Sequence, residues 1–279
     1  MADATDYRAE LVRTADRDRY VAALFAPAEH RGALLALYAF NSEIARVRDV
    51  AREPLPGEIR LQWWSDVLGG ERSGEAQANP VAAALLASIA QYRLPPDKLI
   101  DLVEARRFDL YDEPMATLAE LETYASKTSS ALFALAAQIL SGMEAEAVAQ
   151  PAGQACAIAA LLRDLPLHSA RRQLYLPVEL LDRHAAKTAD IYAGRTSPGL
   201  NAAAAELRDI ARRHLAAARE RLPALPREAL PAFLPLAPVG PVLDRLDRSD
   251  ALAPAELAPW RRQWLIWRAA RKPARIAIA

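Results

Sequence analysis

The chain has 279 residues, and its 35 Lys and Arg balance 35 Asp and Glu, so it lacks the global basic field that a nucleic-acid partner requires. Abundant Ala and Leu with only 10 Gly favour helices over strands, and this length can bury one extended core. The single cysteine, Cys156, excludes an internal disulfide, and its Ala and Ile neighbours predict a small buried hydrophobe.

The N-terminus, Met1 to Asp6, carries acids and no apolar run, which predicts a cytoplasmic chain without a secretory signal or an Arg-rich transit peptide. No stretch approaches the roughly 20 consecutive apolar residues needed to cross a bilayer. Helical periodicity and stop signals predict helices over Arg31 to Val50, Pro80 to Tyr92, Asp97 to Tyr111, Leu118 to Leu140, Gly153 to Leu167, Asn201 to Arg221 and Arg227 to Leu236. The joints at Leu94-Pro95, Ser197-Pro198 and Pro238 to Pro241 are connectors too short to mark a domain boundary. One all-α domain over residues 1–279 is expected, with 1–15 and 272–279 as candidates for disorder. Trp63 and Trp64 read as core packing rather than as a stacking platform.

Several enzyme classes lack their signatures. The four histidines, His30, His168, His184 and His214, have no zinc-ligand spacing, and the chain has no nucleophile elbow, P-loop or dinucleotide fingerprint. The informative segment is Leu161 to Pro177. Residues four apart share a helix face, so two carboxylates at that spacing can hold Mg²⁺ and through it a diphosphate. Here the pair is Asp164 and His168, and a neutral imidazole is a poor ligand for a hard cation.

Arg163, Asp164, Arg171, Tyr175, Leu176 and Pro177 occur in an order that resembles the second aspartate-rich motif of the squalene and phytoene synthase family. In that frame Ala157, Ala160, His168, Arg172 and Gln173 stand where the family has Gln, Asn, Asp, Gly and Arg. The first motif is similar at Pro27, Arg31, Tyr38, Ala39 and Phe40, but its D-D-x-x-D positions hold Ala45, Arg46, Val47, Arg48 and Asp49. The stretches Glu58 to Trp64, Asn79 to Val81, Glu104 to Leu110 and the helix from Tyr124 also match. In that helix Phe133 replaces a family glycine and adds bulk where substrate tails would lie. Near Pro238 to Pro241, Val239 and Gly240 replace a Tyr and an Arg that face the diphosphate, and the flanking prolines are expected to break the helix.

The resemblance runs from about Asp16 to about Arg271 and implies a single-domain isoprenoid-synthase-like helical bundle around a central cavity. Within the family the chain is similar to the branch containing the mitochondrial assembly factor of respiratory complex I and its bacterial homologues, at Ala39 to Asp49, at His168 with Arg171 and Arg172, and at Pro231 to Leu234. That likeness implies a non-catalytic assembly factor or scaffold, with a complex I subunit or assembly intermediate as partner and an isoprenoid or lipid as ligand. The alternative is a Mg²⁺-dependent prenyltransferase that joins two isoprenyl diphosphates head to head.

No catalytic residue is assigned, because Ala45 and His168 are degenerate positions. Asp49 and Asp164 are the remaining metal ligands, and the cofactor is Mg²⁺ under the enzyme reading and none otherwise. Candidate substrate contacts are Tyr38, Arg46, Arg48, Phe133, Arg163, Arg171, Arg172 and Tyr175, the arginines because guanidinium groups bind phosphate oxygens bidentately. Arg46 and Arg48 are either a solvated helix face or replacements for the metal's charge. Trp260 to Arg275 combines aromatics and cations with no acid. It is expected either to pack its tryptophans on the core or to make a peripheral contact with the inner face of the membrane.

Overall fold

In a computed structural model that describes residues 2–51, 53–272 and 276, the chain is built from helices, with no strand among the described residues. Where the sequence left residues 1–15 as a candidate for disorder, Ala2–Ala15 forms α1, and its Val12 is fully buried. Asp16 caps α2 (Arg17–Leu24) by accepting from the Arg19 amide at 3.1 Å. The helix expected from Arg31 to Val50 is divided, since α3 (Ala28–Ala45) ends at Arg46 and α4 (Val47–Val50) restarts beyond it.

The next helices are α5 (Pro54–Leu68), α6 (Ser73–Ala78), α7 (Pro80–Tyr92) and α8 (Pro96–Arg106). Pro54, Pro80 and Pro96 open three of them at the first helical position, where the missing N–H has no intrahelical partner to lose. Trp64 is buried edge-on to Phe40, with ring centres 4.9 Å apart. Trp63 is half-buried and donates its indole N–H to Glu75 at 3.0 Å, so the pair serves packing.

The helix expected from Leu118 to Leu140 is α9 (Leu118–Ala125), a π-helical turn over Ser126–Ser130, and α10 (Ala131–Ser141). The π turn presses on α11 (Glu146–Arg163) at Gly153, where an added Cβ would stand 2.2 Å from the Ser130 amide nitrogen. α11 is the central helix, packed on α10, the π turn and two later helices, α15 (Pro198–Arg221) and α17 (Val239–Leu246). It stops at Arg163 rather than Leu167 because Pro166 has no N–H to give the Leu162 carbonyl.

α12 (Leu165–Ala170), α13 (Val178–Arg183) and α14 (Thr188–Tyr192) lie between α11 and α15, and Ser197 caps α15 by accepting from Leu200 N. Pro231 and Pro235 cut the expected Arg227 to Leu236 helix into short turns around α16 (Leu230–Phe233). The expectation that Pro238 and Pro241 abolish the following helix is incorrect. Both fall at the N-terminus of α17, within the turn whose amides have no intrahelical acceptor. α18 (Pro259–Arg271) closes the described fold, and among the described residues no helix is long and apolar enough to cross a membrane.

Candidate functional site

A cavity of about 550 Å³ opens between the start of α2, the last two turns of α11, the start of α17 and α18. Its deepest charged group is Arg19. The guanidinium pairs with Asp16 at 2.5 Å and lies over two aromatic rings, 5.9 Å from the centre of Tyr38 and 5.6 Å from that of Phe133. Phe133 in turn stacks on Phe233 at 5.5 Å. Burial alone would lower the Arg19 pKa, but the Asp16 carboxylate and the Tyr38 ring oxygen raise it, so this cation is held charged inside the fold. Phe133 therefore lies in the core beneath an internal cation, Arg19, which lines the cavity.

The walls are less polar than the family frame implies. Ala160 and Val239, standing where the resemblance has Asn and Tyr, both line the cavity and offer no hydrogen-bonding side chain. Cys156 also lines it and is only partly buried, which corrects the reading of a fully enclosed hydrophobe. Apolar surroundings push its thiol up to about 12, so it stays protonated and unreactive near neutral pH. Two further lining cations are matched: Arg163 pairs with Asp164 and Arg262 with Asp18.

The motif residues sit at helix breaks. Ala45 ends α3 and Arg46 is the exposed residue at the break, while Asp164 occupies the junction of α11 and α12. The His168 amide still donates to the Asp164 carbonyl at 2.9 Å, so the four-residue spacing survives the interruption. Arg163 forks onto Asp164, Nε to Oδ1 at 2.8 Å and Nη2 to Oδ2 at 2.7 Å. Arg171 donates to Asp49 at 2.6 Å. His168 packs against Tyr175 with ring centres 4.8 Å apart, and desolvation lowers its pKa, so the imidazole is neutral at neutral pH.

This donor set does not suit Mg²⁺. Both surviving carboxylates already face guanidinium groups, His168 offers a softer nitrogen, and no cluster of three or more acids, His or Cys occurs among the described residues.

Two other candidate contacts, Tyr175 and Arg48, belong to a buried network around Asp109. Its carboxylate accepts from the Tyr124 hydroxyl at 2.9 Å, the Tyr175 hydroxyl at 2.8 Å and Arg106 Nη1 at 3.1 Å. Burial drives both phenols well above their ordinary pKa, so they remain donors. Gln173 and Arg48 donate to the Asp109 backbone carbonyl, and Arg48 also pairs with Asp112. Arg172 lies apart, with φ of +58° and its guanidinium 5.1 Å from the Tyr192 ring. It keeps the left-handed backbone that a glycine would adopt at this place in the resemblance.

Of the candidate contacts, the structure thus brings Arg163 to the cavity, buries Tyr38 and Phe133 in the core beneath the lining residue Arg19, joins Asp49 to Arg171, and sends Arg48 and Tyr175 to the Asp109 network. Sequence reasoning missed Asp16, Asp18 and Arg19, and had Arg262 only as part of the Trp260 to Arg275 segment, not at the cavity. The alternating run Asp16-Arg17-Asp18-Arg19 is the local signal, but its partners come from helices far along the chain.

The squalene/phytoene synthase family model matches residues 12–268. The chain is 31% identical over 246 residues to complex I assembly factor 6 of Rattus norvegicus, covering 88% of this chain and 74% of that protein. It is 32% identical over 199 residues to a phytoene synthase of Thermus thermophilus, covering 69% of this chain and 66% of that protein. A dehydrosqualene synthase crystal structure superposes with a TM-score of 0.81 at 16% identity, over 97% of this chain and 96% of that one. A squalene synthase from Alicyclobacillus acidocaldarius gives 0.67 at 20% identity, over 97% and 94%. These two superpositions show the all-α isoprenoid-synthase fold.

Proposed function

The chain belongs to the squalene/phytoene synthase family, and from that membership we propose that it is a non-catalytic member acting as an assembly factor or scaffold for respiratory complex I. The observation that carries this reading is the state of the two surviving motif carboxylates: Asp164 is forked by Arg163 and Asp49 is held by Arg171. A prenyl-diphosphate synthase must stabilise a departing diphosphate, and losing one preorganised charge contact costs about 10²–10³ in rate. Here Ala45, Ala160, His168 and Val239 remove several such contacts together. The relatives named as complex I assembly factors support the role, and the partner is a complex I subunit or assembly intermediate.

In this reading the cavity grips an isoprenoid or lipid without turning it over, with Arg19, Arg163 and Arg262 at its charged end and Ala159, Val239 and Val242 on its walls. The protein works as a peripheral protein at the inner face of the membrane. The phytoene synthase likeness favours the second reading, a Mg²⁺-dependent head-to-head prenyltransferase. Pyrophosphate release from farnesyl and geranylgeranyl diphosphates, with Mg²⁺ and with or without NADPH, separates them. No release from folded protein is expected, with reduced complex I assembly in cells lacking the chain. Release with a coupled triterpene or tetraterpene product would establish the transferase and overturn the first reading.

A further inference from the structure

α18 has two unlike faces. Inward, Ile266 and Ala269 are buried and Arg262 pairs with Asp18 on α2. Outward, Trp260, Trp264 and Trp267 follow one another at spacings of four and three, which puts them in one stripe along the helix. They are 70%, 45% and 44% exposed. Single exposed aromatics are ordinary on a protein surface, whereas three in one row form a patch that requires an explanation.

The charges beside the stripe identify what fits it. α18 contains no Asp or Glu, and Arg261, Arg268, Arg271 and the following Lys272 make no ion pair among the described residues. Arg268 lies 4.2 Å from the Trp264 ring centre and Arg271 4.9 Å from that of Trp267. These guanidinium groups are therefore held level with the rings, as a group must be to meet lipid phosphate while the indoles enter the headgroup layer.

Next to the C-terminal end of the helix, a groove of about 650 Å³ has apolar walls from Phe25, Leu230 and Leu234, with Arg227 and Lys272 among its lining residues. Its apolar walls beside two cations suit an acyl chain below a phosphate. Arg275, the last residue of the basic segment, lies outside the described residues.

We propose that the outer face of α18 is a docking surface for an anionic phospholipid layer, on which the helix lies flat, tryptophans inserted and arginines on phosphates. The helix is too short and too charged to span, so the contact is interfacial. The inference rests on the reading of a peripheral protein and is independent of whether the cavity performs chemistry. Trp and Arg also dominate protein interfaces, but a helix whose charges are all cationic, beside an apolar groove edged by Arg227 and Lys272, favours lipid.

The test uses the full chain with vesicles of phosphatidylcholine alone or mixed with phosphatidylglycerol, read by flotation and by quenching of Trp fluorescence with brominated lipid. Flotation with the anionic vesicles only is expected, weakening as salt is raised. Trp260→Ala with Trp264→Ala and Trp267→Ala should weaken partition about tenfold or more, as should Arg268→Glu with Arg271→Glu. All five side chains are surface groups, and circular dichroism verifies the fold. Arg195→Glu, on an exposed turn outside α18, should leave binding intact. Native protein that stays at the bottom with anionic vesicles overturns the proposal and leaves a protein partner to cover the face, as does a triple variant that floats like the native chain. The complex I assembly measurement judges the scaffold reading separately.

Discussion

Arg171 holds Asp49 at 2.6 Å across 122 residues of sequence, joining the two segments that a diphosphate-binding relative would bridge with metal. Both side chains are more than two-fifths exposed, so the pair contributes only about 0–1 kcal/mol to stability. Its consequence is chemical, because an occupied carboxylate is a weaker ligand. The same holds at Asp164, where Arg163 presents the bidentate geometry that carboxylates bind best.

Restoring Ala45→Asp and His168→Asp supplies two missing carboxylates, and adding Arg163→Gln and Arg171→Gln frees the two already present. Titration calorimetry with pyrophosphate should show Mg²⁺-dependent binding in the fourfold variant and a weaker dependence in the double variant. Identical heats with and without Mg²⁺ in the fourfold variant would count against placing a site at Asp49 and Asp164.

Arg19→Ala removes a cation from above Tyr38 and Phe133 and leaves Asp16 at the cavity unpaired. Breaking a buried pair can cost 3–5 kcal/mol, and the residual exposure of both partners brings the expected loss to about 2 kcal/mol. Adding Asp16→Asn should recover part of it in urea unfolding. Strict additivity of the two substitutions would show that the pair is not energetically coupled.

Arg172 pays a left-handed backbone cost that glycine avoids. Arg172→Gly should therefore be more stable than Arg172→Ala by about 1 kcal/mol, since both lose the Tyr192 contact and only glycine relieves the backbone. Equal melting temperatures for the two variants would contradict the assigned φ.

Gly153→Ala drives a methyl group into the Ser130 backbone. Because backbone cannot swing aside as a flexible side chain does, a loss of about 1–3 kcal/mol is expected. The readout is the denaturant midpoint, with Gly32→Ala, which meets nothing within 4 Å, as the neutral comparison.

Stability should fall on both sides of neutrality for identifiable reasons. Desolvation lowers the folded His168 pKa below 6.5, so below that value the unfolded chain binds the extra proton and unfolding gains. At the other end, burial raises the folded pKa values of Tyr124 and Tyr175 above 10.0, so their contribution is complete below pH 10 and is lost as pH rises beyond it. His168→Gln should flatten the acid limb between about pH 7 and pH 5, and Tyr175→Phe should flatten the alkaline limb. An unchanged acid limb in His168→Gln would assign that limb to other groups.

Much of the architecture was legible in the chain itself. Ala- and Leu-rich periodic stretches predict helices because propensity and an apolar stripe act over one or two turns, and Pro54, Pro80 and Pro96 start helices for reasons local to their own rings. Arg163, Asp164 and Tyr175 carry the family frame in order, and Ala45 and His168 mark its lost ligands without any knowledge of contacts. Proline was misread at Pro238 and Pro241, where its effect depends on whether it falls inside a helix or in its first turn.

What only the tertiary structure decided are the pairings. Nothing near Asp49 in sequence points to Arg171, nothing near Arg19 points to Phe133, and nothing near Tyr175 points to Asp109. The composition of α18 admits both a packed and an exposed tryptophan row, and the packing that buries Ile266 and Ala269 and sets Arg262 against Asp18 turns the stripe outward. Sequence determines which local elements form, because their energies depend on neighbours one turn away. The partner of each charge is chosen when helices distant in the chain pack, because the cost of leaving a buried charge unpaired is settled only by what arrives beside it.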